Sequence, residues 1–153
     1  MGPKAGTYVI ASVLDKNPVL DLEGGSDTNP LASPLAYIVG YTNQRTENQQ
    51  WRITPLRPGV YSLQCVFGNG WLTAPAGGGV DQVDTSIYDP RYNEATRWKI
   101  TDAGNGNYQI ESVQFPGRVL DVAGGSSDDN TRVILYPNYQ STNQKWQFIP
   151  VII

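Results

Sequence analysis

Apolar residues in this chain come in short runs that alternate with polar ones, and few windows show helical spacing. Tyr8-Val9-Ile10-Ala11-Ser12, Val19-Leu20-Asp21-Leu22, Leu35-Ala36-Tyr37-Ile38-Val39 and Gln50-Trp51-Arg52-Ile53 are four such runs. Clusters of Gly, Pro, Asn and Asp separate them, as turns between strands require. The pattern predicts strands over these runs, and further strands over Gly70-Trp71-Leu72-Thr73-Ala74, Ser86-Ile87-Tyr88, Val119-Leu120-Asp121-Val122 and Val133-Ile134-Leu135-Tyr136-Pro137. With 16 glycines and 11 prolines among 153 residues, long helices have little room.

The pattern also repeats. Asn48-Gln49-Gln50-Trp51-Arg52-Ile53 returns as Ala95-Thr96-Arg97-Trp98-Lys99-Ile100 and again as Asn143-Gln144-Lys145-Trp146-Gln147-Phe148, with the tryptophans 47 and 48 residues apart. A second marker keeps step: Gly6-Thr7-Tyr8, Gly59-Val60-Tyr61 and Gly106-Asn107-Tyr108. A fixed period of this size means stacked or closed repeats, because one unit cannot bury its own apolar face. Three units of about four short strands predict an all-β chain of about twelve strands. The architecture expected is a β-trefoil, a six-stranded barrel capped by three hairpins. It forms one domain, 1–153, with repeats at about 6–55, 56–102 and 103–153. Trp51, Trp98 and Trp146, with Tyr8, Tyr61 and Tyr108, are expected in the core.

Charge and composition narrow the function. The net charge is −3 and no basic stripe is present, which argues against nucleic acid and against an anionic membrane surface. Histidine is absent, so imidazole catalysis and the usual zinc sites are excluded. Charged residues are only 16% of the chain, and the remaining polar surface suits a neutral hydrogen-bonding ligand. Cys65 is the single cysteine, matches Ser12 and Ser112 in the repeat, and reads as a small half-buried residue rather than a nucleophile. The N-terminal Met1-Gly2-Pro3-Lys4-Ala5 has no apolar run, and Gly6 stands where a myristoylation motif wants Ser or Thr. With no disulfide and no N-x-Ser/Thr sequon, the expectation is a cytoplasmic protein.

Together, the threefold Gln-x-Trp signature, the Leu-Asp-x-x-x-Gly turn and the aromatic ahead of Asn-Gln-x-Trp resemble the ricin-B-like β-trefoil lectins, above all the small cytosolic fungal ones. The resemblance spans essentially the whole chain. It implies a non-catalytic carbohydrate-binding protein, with glycans ending in galactose or N-acetylgalactosamine as partners. No cofactor is implied.

The residues support a sugar site on their own terms. A pyranose has an apolar face and a hydroxyl edge, so it needs a flat aromatic to stack on and acceptors and donors at its edge. Asp21 and Asp121 each interrupt an apolar strand end and precede a glycine pair, with Gly24 and Gly124 letting backbone approach a ligand. Counting back ten residues from each tryptophan gives Tyr41, Tyr88 and Tyr136; counting back three gives Asn48, Ala95 and Asn143. The first and third repeats thus hold Asp21/Tyr41/Asn48 and Asp121/Tyr136/Asn143. Asn43 and Asn138 are secondary contacts. Gln49 and Gln144 are expected to satisfy backbone groups near the hairpin, beside the binding asparagines.

The second repeat keeps Tyr88 but has Thr73 for Asp and Ala95 for Asn, so two sites are expected. Turn-capping by both aspartates is the bland alternative, and the joint loss of Asp and Asn in one repeat counts against it. Five extra residues between Asp21 and Tyr41, relative to the third repeat, leave the first site the less secure.

Other classes remain open at this point. A β-trefoil protease inhibitor would work through a protruding loop, at 29–34 (Asn29, Pro30, Pro34) or from Ala76 to Asp81. A glycosidase needs two carboxylates facing each other across one sugar, about 5–10 Å apart, which Asp21 and Asp121 in different repeats do not offer. Finally, Ile149-Pro150-Val151-Ile152-Ile153 is apolar throughout. It either pairs with the first strand to close the barrel or serves as the contact of a homodimer.

Overall fold

A computed structural model describes residues 2–25 and 35–152. The first repeat supplies β1 (Gly6–Ser12), β2 (Val19–Leu22), β3 (Ile38–Tyr41) and β4 (Trp51–Arg57). The second supplies β5 (Val60–Cys65), β6 (Trp71–Thr73), β7 (Asp84–Ser86) and β8 (Trp98–Gly104). The third supplies β9 (Asn107–Ser112), β10 (Arg118–Val122), β11 (Thr131–Pro137) and β12 (Trp146–Pro150).

Six strands close a ring. β1 pairs with β4, β4 with β5, β5 with β8, β8 with β9, β9 with β12, and β12 with β1, all antiparallel. The other six form the hairpins β2–β3, β6–β7 and β10–β11. The hairpins lean on one another over one end of the barrel. The Ile38 amide donates to the Val83 carbonyl and the Val83 amide to that of Val133, both at 2.9 Å, while β11 pairs with β3. This is the β-trefoil that the repeats predict. The turn from β8 to β9 is a two-residue reversal in which Asn105 (φ 56°) and Gly106 (φ 77°) are both left-handed, as such hairpins require.

The tryptophans fill the centre. Trp51, Trp98 and Trp146 are all fully buried, among Leu20, Leu63, Leu72, Ile100, Leu120 and Leu135. Each indole Nε1 donates to the carbonyl of a hairpin leucine: Leu20 at 3.2 Å, Leu72 at 2.9 Å and Leu120 at 3.3 Å. The last barrel strand of each repeat is thereby tied to the first hairpin strand of that repeat, one residue before Asp21, Thr73 or Asp121. Among the repeat tyrosines, Tyr61 is buried, while Tyr8 and Tyr108 are partly buried and set edge-on against Phe148 at 5.7 and 5.4 Å. Cys65 is fully buried rather than half-buried, and burial pushes its thiol up to about 12, so it has no thiolate to offer.

The C-terminal run closes the barrel. Tyr8 to Ser12 face Pro150 to Trp146, and the Val151 amide donates to the Thr7 carbonyl at 2.9 Å. Val151 packs with Val9, Ala11 and Val19. Of the described tail, Ile149, Pro150 and Ile152 are exposed.

Two strands sit differently from expectation. β3 begins at Ile38 rather than Leu35, and β7 covers Asp84–Ser86 rather than 86–88. In the second case the inward residues are Val83 and Thr85, and Ile87 and Tyr88 are 65% and 67% exposed. The Thr85 hydroxyl bonds both backbone groups of Ala36, a polar anchor that an apolar count overlooks.

Candidate functional site

In the third repeat Asp121 faces Ile134 across the hairpin and Val119 faces Tyr136. Opposite residues share a face, as do residues two apart on one strand, so Asp121 and Tyr136 lie together. Leu120, Val122, Val133 and Leu135 take the other face into the core. The short turn Thr142–Gln144 then brings two amides onto the carboxylate. Asn143 Nδ2 donates to Asp121 Oδ1 at 3.1 Å, and Gln144 Nε2 to Oδ2 at 2.8 Å. Both amides are fixed in turn. Asn143 Nδ2 also reaches the Val122 carbonyl, its Oδ1 accepts from the Ser141 hydroxyl, and Gln144 bridges the Tyr139 amide and the Pro137 carbonyl.

The first repeat reproduces this arrangement. Asp21 faces Val39, and Tyr41 faces Val19. Gln49 Nε2 donates to Asp21 Oδ2 at 2.9 Å, and the Gln49 carbonyl oxygen accepts from the Gln44 amide at 2.7 Å. Asn48 bonds the Asp21 carboxylate, the Leu22 carbonyl and the Thr46 hydroxyl. An ionised carboxylate has about four acceptor positions. Two amides occupy about half of them and leave the rest for hydroxyl groups of a ligand. The expectation that Gln49 and Gln144 satisfy backbone groups holds, and they also brace the carboxylates.

Asp21 and Asp121 are only 5% and 4% exposed, because the Asn-Gln turns pack over them. Asn138 exchanges two hydrogen bonds with Gln109, at 3.0 and 3.1 Å, and accepts from the Gln140 amide. Asn43 is exposed and accepts from the Arg45 amide at 3.0 Å, a turn contact of the same kind. Gly24 and Gly124 have φ of 74° and 64° with open space where a side chain would stand.

Burial raises the pKa of both carboxyls. Desolvation pushes Asp21 up to about 6 against the lowering effect of Gln49 and Asn48, with Glu23 and Asp129 raising it further. Desolvation raises Asp121 as well, opposed by Gln144 and Asn143, and no acidic neighbour adds to it.

Sequence reasoning missed Tyr139. It is 70% exposed, and its ring lies 6.0 Å from that of Tyr136, tilted by 48°. Gln44 and Arg91 hold the matching positions, so an unrepeated aromatic beside a repeated one was the only available signal.

The second repeat also departs from the count. Trp71 faces Ser86, so Ser86, not Tyr88, occupies the place of Tyr41 and Tyr136. Tyr88 lies beyond the end of β7, because the second repeat has two more residues between that strand and its tryptophan. Among the described residues, no group of three or more His, Cys, Asp or Glu is placed to hold a metal. Of the loops considered for protease inhibition, 29–34 lies outside the described residues. The other begins with the turn Ala76–Gly78, and a side chain at Gly78 would collide with the Phe115 ring, so it starts pinned to the body rather than protruding.

Residues 47–136 match the family model described as ricin-type beta-trefoil lectin domain-like. No curated protein matches the chain. Among solved structures, the agglutinin of Rhizoctonia solani is similar, with 27% identity, a TM-score of 0.81, and 99% of each chain covered. A designed threefold-symmetric protein, ThreeFoil, has 26% identity and a TM-score of 0.82 over 95% of this chain and 99% of its own. The fold is shared too by the ricin B-like lectin of Macrolepiota procera, solved in complex with lactose, at 21% identity, TM-score 0.76 and 99% coverage of both chains. The family match takes in more than half of the sequence, and the chain belongs to the ricin-type β-trefoil lectin domain family.

Proposed function

We propose that the protein binds carbohydrate without catalysis, through one site in the first repeat and one in the third, and that its ligands are glycans ending in galactose or N-acetylgalactosamine. The observation that carries this reading is the carboxylate held by two fixed amides on the face that bears a tyrosine, Asp121 with Asn143, Gln144 and Tyr136, built again at Asp21. Such a carboxylate is oriented before a ligand arrives. It accepts from vicinal hydroxyls with charge-assisted strength. An axial O4 beside O3 presents both hydroxyls to it on one side, and the lactose carried by the Macrolepiota relative ends in galactose. Asp21 and Asp121 lie in different hairpins, so they do not form a catalytic pair across one sugar.

Calorimetric titration with lactose tests this. The expected result is two sites per chain with dissociation constants on the order of 0.1–1 mM. Asp21→Asn and Asp121→Asn should each remove one site, and the double variant both. Lactose binding that survives unchanged in the double variant sinks the assignment.

A further inference from the structure

The second repeat lacks the aspartate and asparagine of its neighbours, yet a cleft of about 350 Å³ opens there, within the range of small-molecule sites, roughly 300–1,000 Å³. The groups missing from their usual positions reappear around it. Thr73 stands where Asp21 and Asp121 stand, and its hydroxyl is turned to the Trp71 carbonyl at 2.7 Å. Directly across the hairpin from Thr73 is Asp84. The carboxylate has therefore moved one strand over, on the same face. The asparagine has moved as well. Ala95 replaces Asn48 and Asn143, but Asn93 lies two residues earlier. Its Oδ1 caps the Glu94–Thr96 turn by accepting from the Ala95 amide at 3.2 Å. Its Nδ2 has only a long contact, 3.5 Å, to the Ser86 hydroxyl. Tyr88 lines the same cleft, its ring largely in solvent.

Asp84 differs from the braced aspartates. Among the described residues no side chain donates to it, and its one partner is its own backbone amide. Desolvation, with Asp81 nearby, raises its pKa. A half-buried carboxylate with spare acceptor positions, opening on a cleft, is suited to ligand hydroxyls. The cleft holds no lysine or arginine, so an anionic sugar is disfavoured. Ala74, Ala76 and Ala95 are among its lining residues, together with the amide side chains of Asn93 and Gln114. A methyl group and a neighbouring amide are what an acetamido substituent presents.

We propose that this cleft is a third carbohydrate site with relocated chemistry, built for an N-acetylhexosamine. Asp84 accepts its hydroxyls, Tyr88 stacks on its apolar face, and the alanines with Asn93 receive the acetamido group. This reading does not depend on the sites at Asp21 and Asp121.

Amide-resolved NMR titration of the whole protein separates the two proposals in one experiment. The probes are N-acetylglucosamine, N-acetylgalactosamine, glucose, galactose and glucosamine, each to about 50 mM. The acetamido sugars should shift the amides of Thr73, Asp84, Asn93 and Ala95 with saturation, at least about ten-fold more tightly than the parent hexoses. Shifts at Asp21, Asn48, Asp121 and Asn143 report the other sites independently. Asp84→Asn and Tyr88→Ala should each weaken the second-repeat response about ten-fold while leaving those shifts in place. Tyr88 is exposed, so its variant keeps the fold. The proposal is overturned if no probe moves the second-repeat amides, if parent and acetamido sugars act equally, or if only glucosamine acts.

Discussion

The first and third repeats place the same three groups around a carboxylate and yet surround it with different charge. In both, a glutamine and an asparagine amide hold the aspartate, and a tyrosine shares its face. At Asp121 the balance is between burial and two amides. At Asp21 two further acids, Glu23 and Asp129, add repulsion, and the carboxyl rises to about 6. Asp129 comes from the third repeat and is held by the amide and hydroxyl of Thr42, both at 2.8 Å. A site is thus set by its own repeat for geometry and partly by the next repeat for electrostatics. The third repeat also has Tyr139 against Tyr136, which the first lacks.

What the two repeats share gives the largest expected effect. Trp51→Ala and Trp146→Ala should each destabilise the protein by about 3–5 kcal/mol in chemical denaturation. Each empties the fully buried centre and releases the carbonyl before the aspartate. If one of them is tolerated, the hairpins are not hung equivalently on the barrel.

Asp121→Ala is expected next. The variant should abolish lactose binding at the third site. It should also destabilise the fold by about 1–3 kcal/mol, because it strips buried donors on Asn143 and Gln144 of their partner. Asp121→Asn should lose binding with a different stability cost, since its carboxamide keeps an acceptor oxygen. Unaltered melting of Asp121→Ala would mean that the amides find water instead, and that the brace contributes little.

pH sharpens the contrast. The ionised carboxylate is the acceptor, so the first site should lose affinity as pH falls below about 6, while the third keeps it to lower pH. Calorimetric stoichiometry with lactose should drop from two sites toward one on acidification. Stability should move in the opposite sense at Asp21. The folded state holds that proton more tightly than the unfolded chain, so the contribution is present below 3.8 and is lost as pH rises to about 6. Asp21→Asn should flatten this part of the melting profile. Asp129→Asn should shift the binding midpoint of the first site downward and leave the third alone.

Tyr139→Ala should have the smallest effect, weakening the third site by about two- to five-fold without changing the first, as loss of one aromatic contact of about 0.5–1 kcal/mol implies. Equal loss at both sites would mean that the substitution acts through the fold.

The sequence by itself determined the period, the tryptophan core and the pairing of Asp121 with Tyr136 and Asn143. These follow from local pattern, because alternation assigns a face and the repeat assigns an equivalent position. Counting along the chain failed where two residues are added before Trp98. Strand register depends on which partners hydrogen-bond, and it selected Ser86 over Tyr88. The near-complete burial of Asp21 and Asp121 depends on turns packing over them from more than 20 residues away in the chain. Asp84 facing Thr73, Asp129 reaching the first repeat and Val151 closing on Thr7 are likewise contacts between distant segments. Only the tertiary structure decides these, because they depend on how the three repeats meet, and no one repeat encodes its neighbours.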